Sequence, residues 1–240
     1  MRKLFYFLLA AVSLTLAACS SMEEKPILSG ESNQLVLVGK QFAGIHNDCL
    51  DSIYANLSLD NISTRNGSAV SQDNIEKQII DYANSYIATI LSSHSRSVST
   101  NASYISIEEF DTITIDSIKS HLTSKELLYI DKYTQNEVDK EEVLNTVASD
   151  VEIPKDHRLA LICFMTTYDA SRNYWEANYK DWLSLFGKTT VSTRSHFRFN
   201  LKEVIFADAW WAYQGLLSSG MNPYVGGGAA AVGSAFACLK

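Results

Sequence analysis

The residues whose types best suit chemistry lie close together between Gly44 and Asp51. His46, Asn47, Asp48 and Asp51 bring an imidazole, an amide and two carboxylates together, which could seat a metal ion or provide a general base. No second histidine follows one helical turn later, and the chain has no HExxH pair. Because capping selects the same residue types, we interpret Gly44 as a turn, Asn47 or Asp48 as a helix cap and His46 as packed beside it. The sequence therefore assigns no catalytic residue, metal or cofactor.

A second candidate is a series of aromatic residues at helical spacing: Tyr168, Trp175, Tyr179, Trp182 and Phe186. Together with Asp169 and Arg172 they could form a platform for a sugar ring or an apolar ligand. We favour a core stripe, with Arg172 lying across a ring face, because periodicity indicates burial. Trp210 and Trp211 are about 100° apart on a helix, so one of them is expected to be partly exposed. The candidate aromatic surface consists of Tyr168, Trp175, Trp182 and Trp211.

The candidate polar site has members far apart in the sequence: His46, Asn47, Asp48, Arg172 and Asp208. Near the end of the chain, a run of glycine and alanine covers residues 226–235. Small residues permit close helix contact, inside a protein as well as between membrane helices. The segment from Tyr224 to Leu239 has only 16 residues, fewer than the roughly 20 needed to cross a bilayer. We therefore expect a helix packed inside the domain.

The elements that must position these residues are predicted to be helices. The chain contains only three prolines, and its apolar residues recur at spacings of three and four. This pattern predicts a single all-α domain of five to eight helices on a flexible lipidated tether. Residues 35–39 read as an extended lead-in, and the first helix is expected over residues 47–57. A second helix is expected over residues 75–91, starting near Asp73.

Capping patterns predict where several later helices begin. Residue pairs at capping-box spacing are Ser106 with Glu109, Thr123 with Glu126, Asp139 with Glu142, and Asn200 with Glu203. Pro154 is placed to begin a long helix that Gly187 ends, and Gly220 is placed to end the helix that Asn200 begins.

The first residues have the pattern of an export signal. Arg2 and Lys3 precede an apolar run, and Leu16-Ala17-Ala18-Cys19 provides a small-residue cleavage site. This tetrapeptide resembles the bacterial lipobox, which implies cleavage before Cys19 and acylation of its thiol; an ordinary cleaved signal peptide is the alternative. We expect residues 1–18 to be a signal peptide, 19–34 a lipidated tether and 35–240 the helical domain. The expected location is the cell envelope outside the cytoplasm, at the outer membrane or cell surface rather than the inner membrane.

Charge and cysteine content restrict the partners. Removing residues 1–18 leaves 18 Lys and Arg against 27 Asp and Glu, a formal charge of −9. Such a surface repels phosphate backbones, so no nucleic-acid partner is expected, and the lipid must provide the contact with the membrane. Cys49, Cys163 and Cys238 lie among apolar residues, where we favour buried thiols over one disulfide.

A family resemblance rests on the two ends of the domain. The segment Gly44-Ile45-His46-Asn47-Asp48-Cys49-Leu50 and the tail after Asp208 resemble a group of uncharacterised secreted proteins and lipoproteins of the Bacteroides lineage. In that group a G-x-x-H-N-x-x-L element opens the domain and an Ala/Gly-rich helix closes it. The resemblance implies a helical secreted domain whose two ends pack together, and it transfers no catalytic residue.

Three functional hypotheses follow. The first is an extracytoplasmic binding or interaction protein without catalysis, with a protein or glycan partner. The second is a membrane-active or antagonism-related protein that uses its Gly/Ala-rich end. The third is a hydrolase centred on the His46 cluster.

Overall fold

All regular secondary structure in the described residues is α-helical, which confirms the fold class predicted from the sequence. The computed structural model describes residues 30–59, 72–94, 104–106, 114–135, 137–189 and 200–239. Its eight helices within these ranges are α1 (Gly30–Leu59), α2 (Gln72–His94), α3 (Ile115–Ser120), α4 (Ser124–Thr134), α5 (Lys140–Ser149), α6 (Lys155–Thr189), α7 (Leu201–Ser218) and α8 (Pro223–Ala237). The signal segment, Cys19 and Glu109 lie outside the described residues.

Helix α1 begins well before the sequence predicted. The expected lead-in over residues 35–39 and the expected start near Asn47 are both wrong, because one helix runs from Gly30 to Leu59. The helix is continuous because a buried stripe with spacings of three and four runs along it through Gly39: Leu35, Gly39, Phe42, His46, Cys49, Ile53 and Leu57. Residues 30–34 are helical rather than tether, and the buried Ser32 hydroxyl donates to the Ala148 carbonyl oxygen.

Helix α6 runs parallel to α1 over most of its length. Lys155 pairs with Glu31 at one end, Thr166 donates to the Gly39 carbonyl in the middle, and Tyr54 packs on Trp182 at the other end. The helix begins directly after Pro154, as predicted. It continues two residues beyond Gly187, so this glycine does not terminate it.

Helices α7 and α8 form an antiparallel hairpin. Gly215 approaches Gly226 near the turn, and Trp211 covers Gly233 further along. The turn contains Gly220 and Met221, which have φ angles of 64° and 67°. Residues 226–236 of α8 are all buried, which confirms that the Gly/Ala-rich segment is an internal helix. None of the helices in the described part of the chain combines the length and the hydropathy that a membrane span requires.

Three of the predicted caps are present in the structure. Thr123 and Glu126 form a capping box at α4, and Asp139 and Asn200 cap α5 and α7. Helix α2 packs against α8, where Ile87 occupies the space beside Gly228. The Asn84 side chain accepts from the Tyr104 and Ile105 backbone N–H groups and donates to the Ile105 carbonyl, which attaches residues 104–106 to α2.

Candidate functional site

Three helices bring polar side chains together around Asp208 in the middle of the bundle. Asp208 Oδ2 accepts hydrogen bonds from the Ser171 hydroxyl and from Trp175 Nε1, the latter at 2.9 Å. His46 Nε2 lies 3.4 Å from the same oxygen, and both side chains are 0% exposed. This is an ion-pair distance without hydrogen-bond geometry, and Asp208 Oδ1 has no hydrogen-bond partner among the described residues. We call His46, Ser171, Trp175 and Asp208 the Asp208 cluster.

The Asp208 cluster lacks the geometry of an activated nucleophile. A serine nucleophile needs a base that contacts its hydroxyl, whereas the Ser171 hydroxyl donates directly to the carboxylate. His46 contacts Asn47 Oδ1 through Nδ1, at 2.9 Å, rather than Ser171. All four side chains are buried, so the arrangement joins α1, α6 and α7 through a polar network.

The polar side chains between Gly44 and Asp51 do not converge on one site. Neighbouring residues of a helix point about 100° apart, so His46 faces the core while Asp48 and Asp51 are exposed and Asn47 is half-buried. Neither Asn47 nor Asp48 caps a helix, because both lie in the interior of α1, and Gly44 makes no turn. His46 instead meets Asp208, a residue 162 positions away, so the segment around His46 packs against the segment around Asp208.

The four residues of the candidate aromatic surface differ in how deeply they are buried. Trp175 and Trp182 are core residues that pack against each other, so their assignment to a surface is wrong. Trp210 is buried and Trp211 is half-buried, which confirms that the pair is asymmetric. Trp211 lies against Gly233 of α8. Tyr168 is half-buried beside Phe206, and it borders a polar group at the surface.

That polar group is centred on Asp169. Lys140 Nζ forms an ion pair with Asp169 Oδ1, and the Tyr133 hydroxyl donates to Oδ2 at 2.7 Å. Lys140 Nζ also lies 4.9 Å from the ring centroid of Tyr133 and 5.3 Å from that of Tyr168, within cation–π range. The side chains of Lys140 and Asp169 are 24% and 31% exposed, so solvent reaches them. We call Tyr133, Lys140, Tyr168, Asp169 and Arg172 the Asp169 cluster.

Arg172 belongs to the Asp169 cluster and not to the Asp208 cluster. Burial and the hydrogen bond to Asp169 raise the pKa of Tyr133, while the nearby Arg172 charge opposes that rise. Burial likewise raises the pKa of Tyr168, again against the charge of Arg172. The predicted polar site is therefore two sites. His46 and Asp208 meet inside the bundle, whereas Arg172 lies on the surface of α6 next to residues of α4 and α5.

The three cysteines in the described residues are free and buried, which confirms the interpretation as thiols. Burial raises the pKa of Cys49, Cys163 and Cys238, and the charge of Asp208 adds to the effect at Cys238. These thiols are thus poor nucleophiles at neutral pH. Within the described ranges, no group of three or more His, Cys, Asp and Glu side chains is placed to hold a metal ion.

Sequence reasoning missed Ser171, Tyr133 and Lys140. Ser171 has a recognisable signal, because it lies four residues from Thr167 and from Trp175 on the buried face of α6. A small polar residue in such a stripe indicates a buried partner. Lys140 and Tyr133 carry no comparable signal, since the packing of α4 and α5 on α6 brings them to Asp169. Comparisons of this chain with protein-family models, curated proteins and solved structures found no match.

Proposed function

We propose that this protein is a lipid-anchored extracytoplasmic binding protein without catalysis, and that the Asp169 cluster is its ligand-contacting surface. The observation that carries the proposal is the difference in solvent exposure between the Asp208 cluster and the Asp169 cluster. The Asp208 cluster is closed to solvent, whereas four residues of the Asp169 cluster are partly exposed beside the buried Tyr133: Lys140, Tyr168, Asp169 and Arg172. Aromatic rings beside charged groups are common in ligand sites.

The anchor is supported by the pattern at Cys19 and by its distance from the folded domain. Eleven residue steps separate Cys19 from Gly30, where α1 begins, and such a chain reaches at most about 40 Å. An acylated Cys19 would therefore hold the domain close to a bilayer while leaving its side surfaces available. Mass spectrometry of the native protein tests this part directly. We expect a chain that begins at Cys19 and carries acyl mass, and an intact leader or an unmodified Cys19 would contradict it.

The binding surface is tested with the mature chain and a defined panel of neutral and acidic saccharides. Wild-type protein is expected to bind at least one member of the panel, as measured by saturation-transfer NMR. A Lys140→Glu/Arg172→Glu variant reverses both cations of the cluster and is expected to lose this binding. Binding that survives in this variant, or no binding to any saccharide by the wild-type protein, would contradict the proposed surface.

The matched control changes the same charges elsewhere. Lys77→Glu and Lys180→Glu reverse two cations on the exposed faces of α2 and α6, away from the cluster. Because Lys77 is an exposed partner of Asp81, its loss is expected to cost little stability. The control variant is expected to retain binding, which separates a local contact from an effect of net charge.

A further inference from the structure

Two carboxylates on α6 are placed within about one helical turn of Arg172: Asp169, three residues before it, and Glu176, four residues after it. Both carboxylate oxygens of Asp169 already have donors, Lys140 on Oδ1 and Tyr133 on Oδ2. Arg172 forms no hydrogen bond or ion pair with the residues that the structure describes, although its side chain is half-buried.

The guanidinium of Arg172 has no acceptor among the described residues and reaches solvent, because none of its nitrogens is among the fully buried polar atoms that lack a partner. The guanidinium is a rigid fork of N–H donors that fits a carboxylate through two parallel hydrogen bonds. Within the Asp169 cluster, the single carboxylate pairs with Lys140, so the second cation, Arg172, is left for another acceptor.

From this arrangement we infer that Arg172 binds the carboxylate of an acidic saccharide, with the half-exposed ring of Tyr168 contacting the sugar. The inference rests on the proposed function and names the ligand class of that same surface. Lys140 and Tyr133 hold Asp169 in place. Because they contact both carboxylate oxygens of Asp169, Arg172 remains free to bind a ligand. Tyr168 supplies an apolar face for the C–H side of a pyranose ring.

The test measures binding of D-glucuronate, D-glucose and acetate to the mature chain by isothermal titration and saturation-transfer NMR. Wild-type protein is expected to bind glucuronate more tightly than either glucose, which lacks the carboxylate, or acetate, which lacks the ring. Arg172→Gln is expected to weaken glucuronate binding at least tenfold. Arg172→Lys is expected to recover only part of the loss, because an ammonium keeps the charge without the fork.

Lys180→Gln is the matched control. It removes one positive charge from the same helix, at a lysine that also lies near a tyrosine ring, with Nζ 5.8 Å from the Tyr179 centroid. Glucuronate affinity is expected to change less than twofold in this variant. Tyr168→Leu is expected to weaken glucuronate binding while leaving acetate binding unchanged. Thermal unfolding of every variant verifies that the fold is intact before binding is compared.

The outcomes separate this inference from the broader proposal. If neutral saccharides bind at the Asp169 cluster and glucuronate binds no better, the assignment to Arg172 is wrong while the proposed binding surface survives. If glucuronate affinity falls equally in Arg172→Gln and Lys180→Gln, the effect is one of overall charge and the assignment is also wrong. If no saccharide binds, both proposals fail.

Discussion

Asp208 and Asp169 are two carboxylates of one bundle that differ in what surrounds them. Asp208 is fully buried, and Ser171, Trp175 and His46 all approach one of its oxygens, while the other has no hydrogen-bond partner among the residues described. Asp169 is partly exposed and has one donor on each oxygen. The comparison teaches that a polar group in a helical bundle can hold helices together or prepare a surface for a ligand, and that solvent access distinguishes the two roles.

The largest expected effect is the loss of stability when the Asp208 carboxylate is replaced by a neutral amide. The same replacement at Asp169 provides the comparison. Asp208→Asn keeps the shape but leaves His46 buried beside a neutral amide, so we expect the free energy of unfolding to fall by about 3 kcal/mol. Asp169→Asn should lower it by about 1 kcal/mol or less, because its partners can turn to water. Urea unfolding followed by circular dichroism measures both. Equal losses at the two positions would contradict the distinction between the clusters.

The double variant His46→Gln/Asp208→Asn provides the control for the first prediction. If the ion pair is the source of the loss, the two single losses are not additive, and the double variant is more stable than their sum predicts. Strict additivity would show that the two side chains act independently.

The second prediction tests how closely the helices around the Asp208 cluster pack. A Cβ at Gly226 would lie 2.9 Å from the Leu216 backbone nitrogen and 2.9 Å from Phe42 Cε2, so Gly226→Ala forces α7 and α8 apart. We expect a loss of about 1–3 kcal/mol in the free energy of unfolding. Gly44→Ala is the matched control, because a Cβ there meets nothing within 4 Å. That variant should gain about 0.5–1 kcal/mol from helix propensity.

The third prediction compares two buried serines. Ser171→Ala removes a hydrogen bond to a carboxylate and is expected to lower the free energy of unfolding by about 1.5 kcal/mol. The Ser234 hydroxyl is buried without a hydrogen-bond partner in the described structure, so Ser234→Ala should be neutral or slightly stabilising. Chemical unfolding of the two variants decides the matter, and a larger loss for Ser234→Ala would contradict the absence of a hydrogen-bond partner for its hydroxyl in the described structure.

The starts of several helices were predictable from the sequence, because the residues that cap or interrupt a helix lie close together in the chain. The cap at Thr123 with Glu126, the break at Pro154 and the cap at Asn200 each involve residues within a few positions of one another, and each is present in the structure. The start of α1 was not predictable in the same way. Gly39 and Gly44 resemble helix breaks, yet Gly39 lies in α1 because Ile162 packs where its side chain would be.

The site was harder to predict than the helices. His46 and Asp208 were both selected, but nothing local could assign them to one cluster and Arg172 to another. That separation depends on α1 and α6 running parallel and on α5 bringing Lys140 to Asp169. The burial of Trp175 and Trp182 follows from helical periodicity, which indicates a buried face without showing what the remaining residues bind.

The smallest expected effect concerns a third carboxylate, which lies between the two extremes. Glu126 has a side chain only 2% exposed and pairs with the half-exposed His157, with 2.7 Å between the carboxylate and Nδ1. Burial acts to raise the pKa of Glu126, but hydrogen bonds from Thr123 and His157 outweigh it and leave the pKa below its ordinary value of 4.5. The folded state therefore holds the carboxylate proton more weakly than the unfolded chain does.

The lowered pKa of Glu126 determines how the free energy of unfolding depends on pH. The contribution of Glu126 is present above pH 4.5 and is lost as the pH falls through the lowered pKa of the folded state. Glu126→Gln should lower the free energy of unfolding by about 1 kcal/mol at pH 7, and the difference from wild type should shrink as the pH falls below 4.5. Urea unfolding of both proteins between pH 3 and 7 measures this. A difference that stays constant with pH would mean that Glu126 acts through its shape and cap alone, as an uncharged residue could, and not through its charge.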